Sequence, residues 1–330
     1  MRKTPLATLP RRSGLLLGLA LACGQTLTAH AQGYPSKPVR IVVPFATGGP
    51  ADNYARFVAQ RLGEELKQSF IVENKPGAGA IIGTDSAAKS PADGYTLLMM
   101  SNAHTVNESL IPNKPYTLLR DFVGIAPVNY SNLLLVVHPS VPVKTVGELV
   151  ALAKSKPGKL NYASSGNGTP YHMAGELFKH MAGIYMTHVP YRGSSGARTD
   201  IVGGQVDVMF DAETTMTEFA KSGKVRALAS TGLVRSRNTP DIPTVAESGV
   251  PKYEATIWLG LMAPRNTPPD IVNRLNAEVR KIAGNPEVRA QWERQGAVPM
   301  AMSVSEFEQF LKDDIAKWST IVKVSGAKPD

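Results

Sequence analysis

The chain has 330 residues, a formal net charge of +9 and a single cysteine, Cys23. Arg2, Lys3, Arg11 and Arg12 precede an apolar stretch over residues 15–27, and Ala29-His30-Ala31 then supplies a small-x-small cleavage site. That order is an export signal, too short in its apolar part for a membrane anchor. Cleavage after Ala31 leaves about 299 residues without cysteine and lowers the charge from +9 to +5, excluding disulfides, thiol nucleophiles and cysteine metal ligands. The basic clusters that remain (LKQSF, KSKPGK, VRSRN) are short, are separated by acids and lack interleaved aromatics, which argues against a nucleic-acid partner.

In chain order, the first element is IVVPFATGGPADNYARFVAQRL, residues 41–62. An apolar strand-like run ends in a glycine-rich turn that opens directly onto a helix, with Pro50 at the first helical position behind Gly49. Strand-like runs follow at 70–73 and 96–100. The turn then recurs in LNYASSGNGTPYHMAGELFKHM, residues 160–181, with Pro170 behind Thr169. Further strand-like runs at 186–190, 206–210 and 225–230 alternate with helix-period segments, a pattern that predicts parallel sheets covered by helices. Two longer apolar runs, 133–138 and 256–263, read as crossovers between two domains, one of residues 34–136 and 256–330 and the other of 137–255. The C-terminal part reads as helical throughout, over 269–282, 287–295 and 304–324.

In both glycine-rich turns small residues let a ligand approach the backbone, and the free N–H groups of the following helical turn can bind negative charge. Two such turns suggest a jaw that closes on a small anion. Asp52 falls at the third helical position, where capping is the preferred role because its charge would compete with an anion for the same dipole. His172 holds the equivalent position in the second unit and could donate to a ligand or simply satisfy its loop. Strand ends place Ser101, Asn102, His104, Tyr191, Arg192 and Asp211 at the rim of a cleft, and Phe45 reads as a pocket wall.

Catalytic readings fit poorly. Gly77, Gly79 and Gly83 carry one residue too many for a dinucleotide fingerprint, and Glu73-Asn74-Lys75-Pro76 separates them from the preceding strand. Ser86-Ala87-Ala88-Lys89 lacks the companion motifs of penicillin-recognising enzymes, and Gly193-Ser194-Ser195-Gly196 is not a nucleophile elbow. His172, His180 and His188 span a helix, a turn and a strand, so they do not share a face as metal ligands would.

Five segments in this order, IVVPFATGGPADNYAR, VENKPGAGAIIGTDSAAKSPADGYTLL, ASSGNGTPYHMAGELFK, HVPYRGSSGARTDIVGGQVDVMFD and IPTVAESGVPKYEA, resemble the Bug family of extracytoplasmic solute receptors associated with tripartite tricarboxylate transporters. The resemblance implies an α/β periplasmic-binding-protein fold, two α/β domains with a ligand cleft between them. It also implies a periplasmic monomer without metal or cofactor that binds a small carboxylate through the two loops and hands it to membrane permease subunits. The ligand-binding residues it implies are Phe45, Thr47, Gly48, Gly49, Asp52, Ser101, Ser164, Ser165, Gly168, Thr169, His172, Tyr191 and Asp211. A di- or tricarboxylate or an aromatic acid is expected, with Asp211 as the residue that would instead meet the ammonium of an amino acid. A sensor subunit using the same cleft and an exported hydrolase are the alternatives.

Overall fold

Strands and helices alternate along almost the whole of the computed structural model, which describes Met1, Lys3 and residues 33–328; the apolar part of the export segment and its cleavage site lie outside the described residues. The strands are β1 Val39–Val43, β2 Phe70–Asn74, β3 Thr96–Ser101, β4 Phe122–Val137, β5 Asn161–Ser164, β6 Thr187–Pro190, β7 Val208–Ala212, β8 Arg226–Ser230, β9 Thr256–Pro264 and β10 Ala297–Pro299. The helices are α1 Pro50–Leu66, α2 Ile81–Ala88, α3 Asn102–Leu110, α4 Leu118–Asp121, α5 Val146–Ser155, α6 Pro170–Ala182, α7 Ser194–Val202, α8 Glu213–Lys221, α9 Pro269–Gly284, α10 Pro286–Arg294 and α11 Val304–Ser325. Pro50 and Pro170 stand at the first positions of α1 and α6, where the missing N–H has no helical partner.

The sheet runs β2-β1-β3-β9-β4-β7-β5-β6, with β8 and β10 also paired to β4. Its two ends are parallel, β2-β1-β3 and β7-β5-β6, as the alternation predicts. Its middle is not: β9 inserts between β3 and β4 antiparallel to both, and β4 runs antiparallel to β7 and β8. The expectation of purely parallel sheets is corrected on this point, because β9 is reached through the irregular segment 231–255 and not through a crossover helix.

β4 is the connecting strand. Residues 122–132 pair with β9, whereas Leu133 to Val137 pair with β7 and β8. Its first half escapes a sequence reading because Gly124 and Pro127 interrupt the apolar period, and the register shifts beside each of them. β10 is likewise hidden between two helical patterns; it pairs with residues 129–131 of β4. Among the described residues, 37–328 form one compact unit. No helix among the described residues is long and apolar enough to cross a membrane.

Two separate clusters fill the two parts of the sheet. Val42, Leu98, Phe122, Trp258, Met262, Phe307 and Leu311 are buried together in one, and Leu134, Val136, Ala163, Ala197, Ile201 and Met209 in the other. α11 supplies Phe307, which is wholly buried and meets Trp258 edge-on with ring centroids 6.1 Å apart. A β-carbon at Gly260 of β9 would lie 2.6 Å from its ring, so the absence of a side chain there makes the seat. Phe307→Ala should therefore lower unfolding stability by about 3–5 kcal/mol; urea denaturation read by circular dichroism checks this, and a loss below about 1 kcal/mol would mean that the seat collapses around the cavity.

Candidate ligand-binding site

The first glycine-rich loop leaves β1 and enters α1 through Gly49, an extended N-cap with no capping side chain. Gly48 has φ +80, a left-handed value that a β-carbon disfavours. Asp52, at the third position of α1, reaches back to accept the Gly48 N–H at 2.9 Å. Arg56 lies 2.9 Å from its other oxygen and also donates to Asn74 Oδ1, while Asn74 Nδ2 donates to the Phe45 carbonyl. Burial pushes the Asp52 carboxyl up, but the hydrogen bonds from Arg56 and Gly48 outweigh it and hold the group below its usual range.

The second loop repeats this construction with different chemistry. Gly168 has φ +71 and gives its N–H to Nδ1 of His172, at 3.1 Å, again from the third helical position. Accepting there places the His172 proton on Nε2. Thr169 Oγ caps α6 and donates to the Gly166 carbonyl at 2.6 Å. Ser164 Oγ accepts from Gly166 N–H and lies 2.6 Å from Nε2 of His188, whose ring stacks on His172 with centroids 4.1 Å apart. Burial first, then the nearby His188 and Lys179, push His172 down to about 3. Asp52 and His172 are thus equivalent struts, one charged and compensated, the other neutral.

Between the loops lies a narrow cleft with about 330 Å³ of atom-free space, open solvent included. Phe45, Ala46, Gly49, Pro50 and Ala51 wall one side, Ser165, Pro170 and Tyr171 the other, and Ser101, Ser194 and Ile257 close it. The N-terminal ends of four helices, α1, α3, α6 and α7, therefore meet at one cavity that no charged side chain lines. Each end carries a partial positive charge, so the cavity favours an anion, although at α3 the Ser101 hydroxyl already accepts the Ala103 N–H.

Of the residues expected in the site, Phe45, Gly49, Ser101 and Ser165 line this cavity. Thr47 and Gly48 adjoin it on the exposed side of the first loop. Asp52, Ser164, Thr169 and His172 are engaged in holding the loops, and Gly168 packs against Asn107 Oδ1. Tyr191 turns its hydroxyl to Asp200. Asp211 does not reach a rim: β7 continues through Ala212, so the carboxylate is fully buried, paired with Arg198 Nε at 2.6 Å and accepting the Ala212 N–H at 2.8 Å. Burial raises the Asp211 pKa, and the Arg198 guanidinium opposes that rise.

Sequence reasoning missed Tyr171, Ser194 and Ile257. Tyr171 directly follows the N1 proline, which is a usable signal; Ser194 lies in a glycine–serine run weighed only as a nucleophile. The Gly77–Ala80 turn, set aside as a failed dinucleotide motif, has positive φ at all four residues and abuts the second loop. A β-carbon on Gly79 would collide with the Asn167 carbonyl, and Asn107 Nδ2 donates to the Gly79 carbonyl. Among the described residues no group of three or more His, Cys, Asp or Glu is placed to hold a metal.

Residues 54–327 match the family model described as the tripartite tricarboxylate transporter family receptor. The chain belongs to this receptor family. It is 36% identical over 316 residues to protein BugT of Bordetella pertussis, covering 95% of this chain and 97% of that one. Among solved structures, R. palustris Rpa4515 with adipate aligns with a TM-score of 0.87 at 34% identity over 90% of this chain and 100% of that one. MatC from Rhodopseudomonas palustris with bound malate aligns at 0.83 and 30% identity over 88% and 100%. The fold is that of the periplasmic binding proteins, and the family consists of solute-binding receptors.

Two buried histidines, His104 and His172, carry a pH signature. Burial pushes His104 down to about 4, and His172 lies at about 3, both from 6.5. Above pH 6.5 folded and unfolded chains are equally neutral at these sites; below it the unfolded chain takes up protons that the folded one refuses, so stability falls with pH. Each histidine should remove about 1.4 kcal/mol per pH unit between 6.5 and its folded value. Thermal melts at pH 7.5 and 5 of the wild type and of His104→Gln with His172→Gln check this: the variant should lose less on acidification, and parallel losses would contradict neutral burial.

Proposed function

We propose that the chain is an exported periplasmic receptor that captures a small carboxylate between its two glycine-rich loops and delivers it to a tripartite tricarboxylate-type permease. The observation that carries this reading is the meeting of four helix N-termini at a cavity without charged side chains. In this reading the export segment is removed after Ala31, and residues 34–136 with 256–330 form one domain and 137–255 the other. The β4 strand, paired to β9 in its first part and to β7 and β8 in its second, is then the natural hinge.

The ligand is an acid that carries no ammonium group. A cationic end would require an unpaired acid in the cavity wall, and Asp211, the expected partner, is instead held by Arg198. Similarity to relatives solved with adipate and malate supports a dicarboxylate. Four or five charge-assisted hydrogen bonds at roughly 1.5–3 kcal/mol each supply on the order of 6–15 kcal/mol, opposed by about 4 kcal/mol or more of lost freedom. Micromolar affinity needs about 8 kcal/mol net, so a second polar anchor is expected at the far end of the ligand. Titration calorimetry with adipate, malate, succinate and glutamate tests this. At least one plain diacid should bind with one-to-one stoichiometry and without turnover, while glutamate binds at least tenfold more weakly; glutamate binding as tightly as the best diacid would sink the ammonium-free assignment.

A further inference from the structure

The first loop is touched from across the cleft by the start of α7, and every one of these polar contacts ends on a loop carbonyl. Ser195 Oγ donates to the Thr47 carbonyl at 2.6 Å, and Arg198 Nη1 donates to the Gly48 carbonyl at 3.2 Å. We propose that Arg198 is a positioning residue for ligand capture, which sets the plane of the Gly48–Gly49 peptide and orients the Ser194 hydroxyl so that both donors aim into the cavity. The proposal rests on the carboxylate-receptor reading above.

In a trans peptide the C=O and the following N–H point in opposite directions. Holding the Thr47 carbonyl on Ser195 sends the Gly48 N–H the other way, and it is there that Asp52 accepts it. By the same rule, holding the Gly48 carbonyl on Arg198 turns the Gly49 N–H away from α7, and Gly49 lines the cavity. Arg198 Nη2 also donates to Ser194 Oγ at 2.6 Å, so the Ser194 hydrogen is left to point elsewhere, and Ser194 lines the cavity too.

Arginine is needed because three donors of one planar fork serve three separate acceptors: Asp211 by Nε, Gly48 by Nη1 and Ser194 by Nη2. A lysine ammonium cannot span them. Asp211 keeps the guanidinium extended and offsets its charge where only 8% of Arg198 is exposed. This gives Asp211, which no ligand can reach directly, a role in binding through Arg198.

The test compares wild type with Arg198→Lys, Arg198→Met and the pair Arg198→Met with Asp211→Asn, the last of which leaves no buried unpaired carboxylate. Dissociation constants for adipate and malate should rise by about 10- to 100-fold in all three, mainly through faster dissociation. In ¹⁵N-correlated spectra the Gly49 amide should shift while the Ser165 amide on the opposite loop stays in place. Affinities within threefold of wild type with an unmoved Gly49 amide would overturn the proposal. If wild type binds none of the tested acids, the carboxylate reading fails. The positioning role is then decided by amide exchange without ligand: Gly48 and Gly49 should exchange at least tenfold faster in Arg198→Met, and equal rates would overturn it.

Discussion

The cavity depends on backbone N–H groups left over at helix ends. An α-helix leaves its first N–H groups without intrahelical partners, and they must be satisfied by a side chain, water or a ligand. At α1 no side chain caps the helix, since Gly49 has none, and at α6 the Thr169 hydroxyl takes only the His172 N–H. The first residues of both helices line a cavity without charged side chains. A single exposed helix end contributes about 0.3–1 kcal/mol toward an anion and a partly buried one up to about 2, so the convergence of four such ends matters more than any one of them.

Such a site works only if the loops hold their shape, and each is tied by a side chain from the third helical position. Asp52 and His172 both return to the glycine just before the N-cap, which in both loops is left-handed. Their electrostatics differ. Asp52 brings a negative charge to the positive end of α1 and is compensated by Arg56, whereas His172 is kept neutral by burial. Neither strut leaves a net charge facing the cavity.

Much of this was legible in the sequence, for identifiable reasons. The β1–α1 and β5–α6 units stand out because proline at N1, glycine before it and an apolar run before that are local features. The first half of β4 was not legible, because Gly124 and Pro127 break the period and only the antiparallel partner β9 holds the strand together. Asp211 shows the deeper limit. The apolar run before it suggests a strand end at the rim, whereas it is buried and paired with Arg198, thirteen residues earlier on a weakly patterned helix. Nothing local in the sequence announces that pairing.

The pairing also accounts for how one short loop can serve two partners at once. Over residues 47–49 two successive peptides turn their carbonyls, those of Thr47 and Gly48, to α7. The Gly48 N–H is turned to Asp52, and under the positioning proposal the Gly49 N–H is turned to the cavity that Gly49 lines. Under the proposed reading, contacts across the cleft and contacts with an anion use opposite sides of these peptides and do not compete. Each favours the same orientation of the Gly48–Gly49 peptide, so forming one set lowers the ordering cost of the other. Coupling of this kind needs no movement of β1 or α1: two carbonyls, two donors and a trans peptide between them are sufficient.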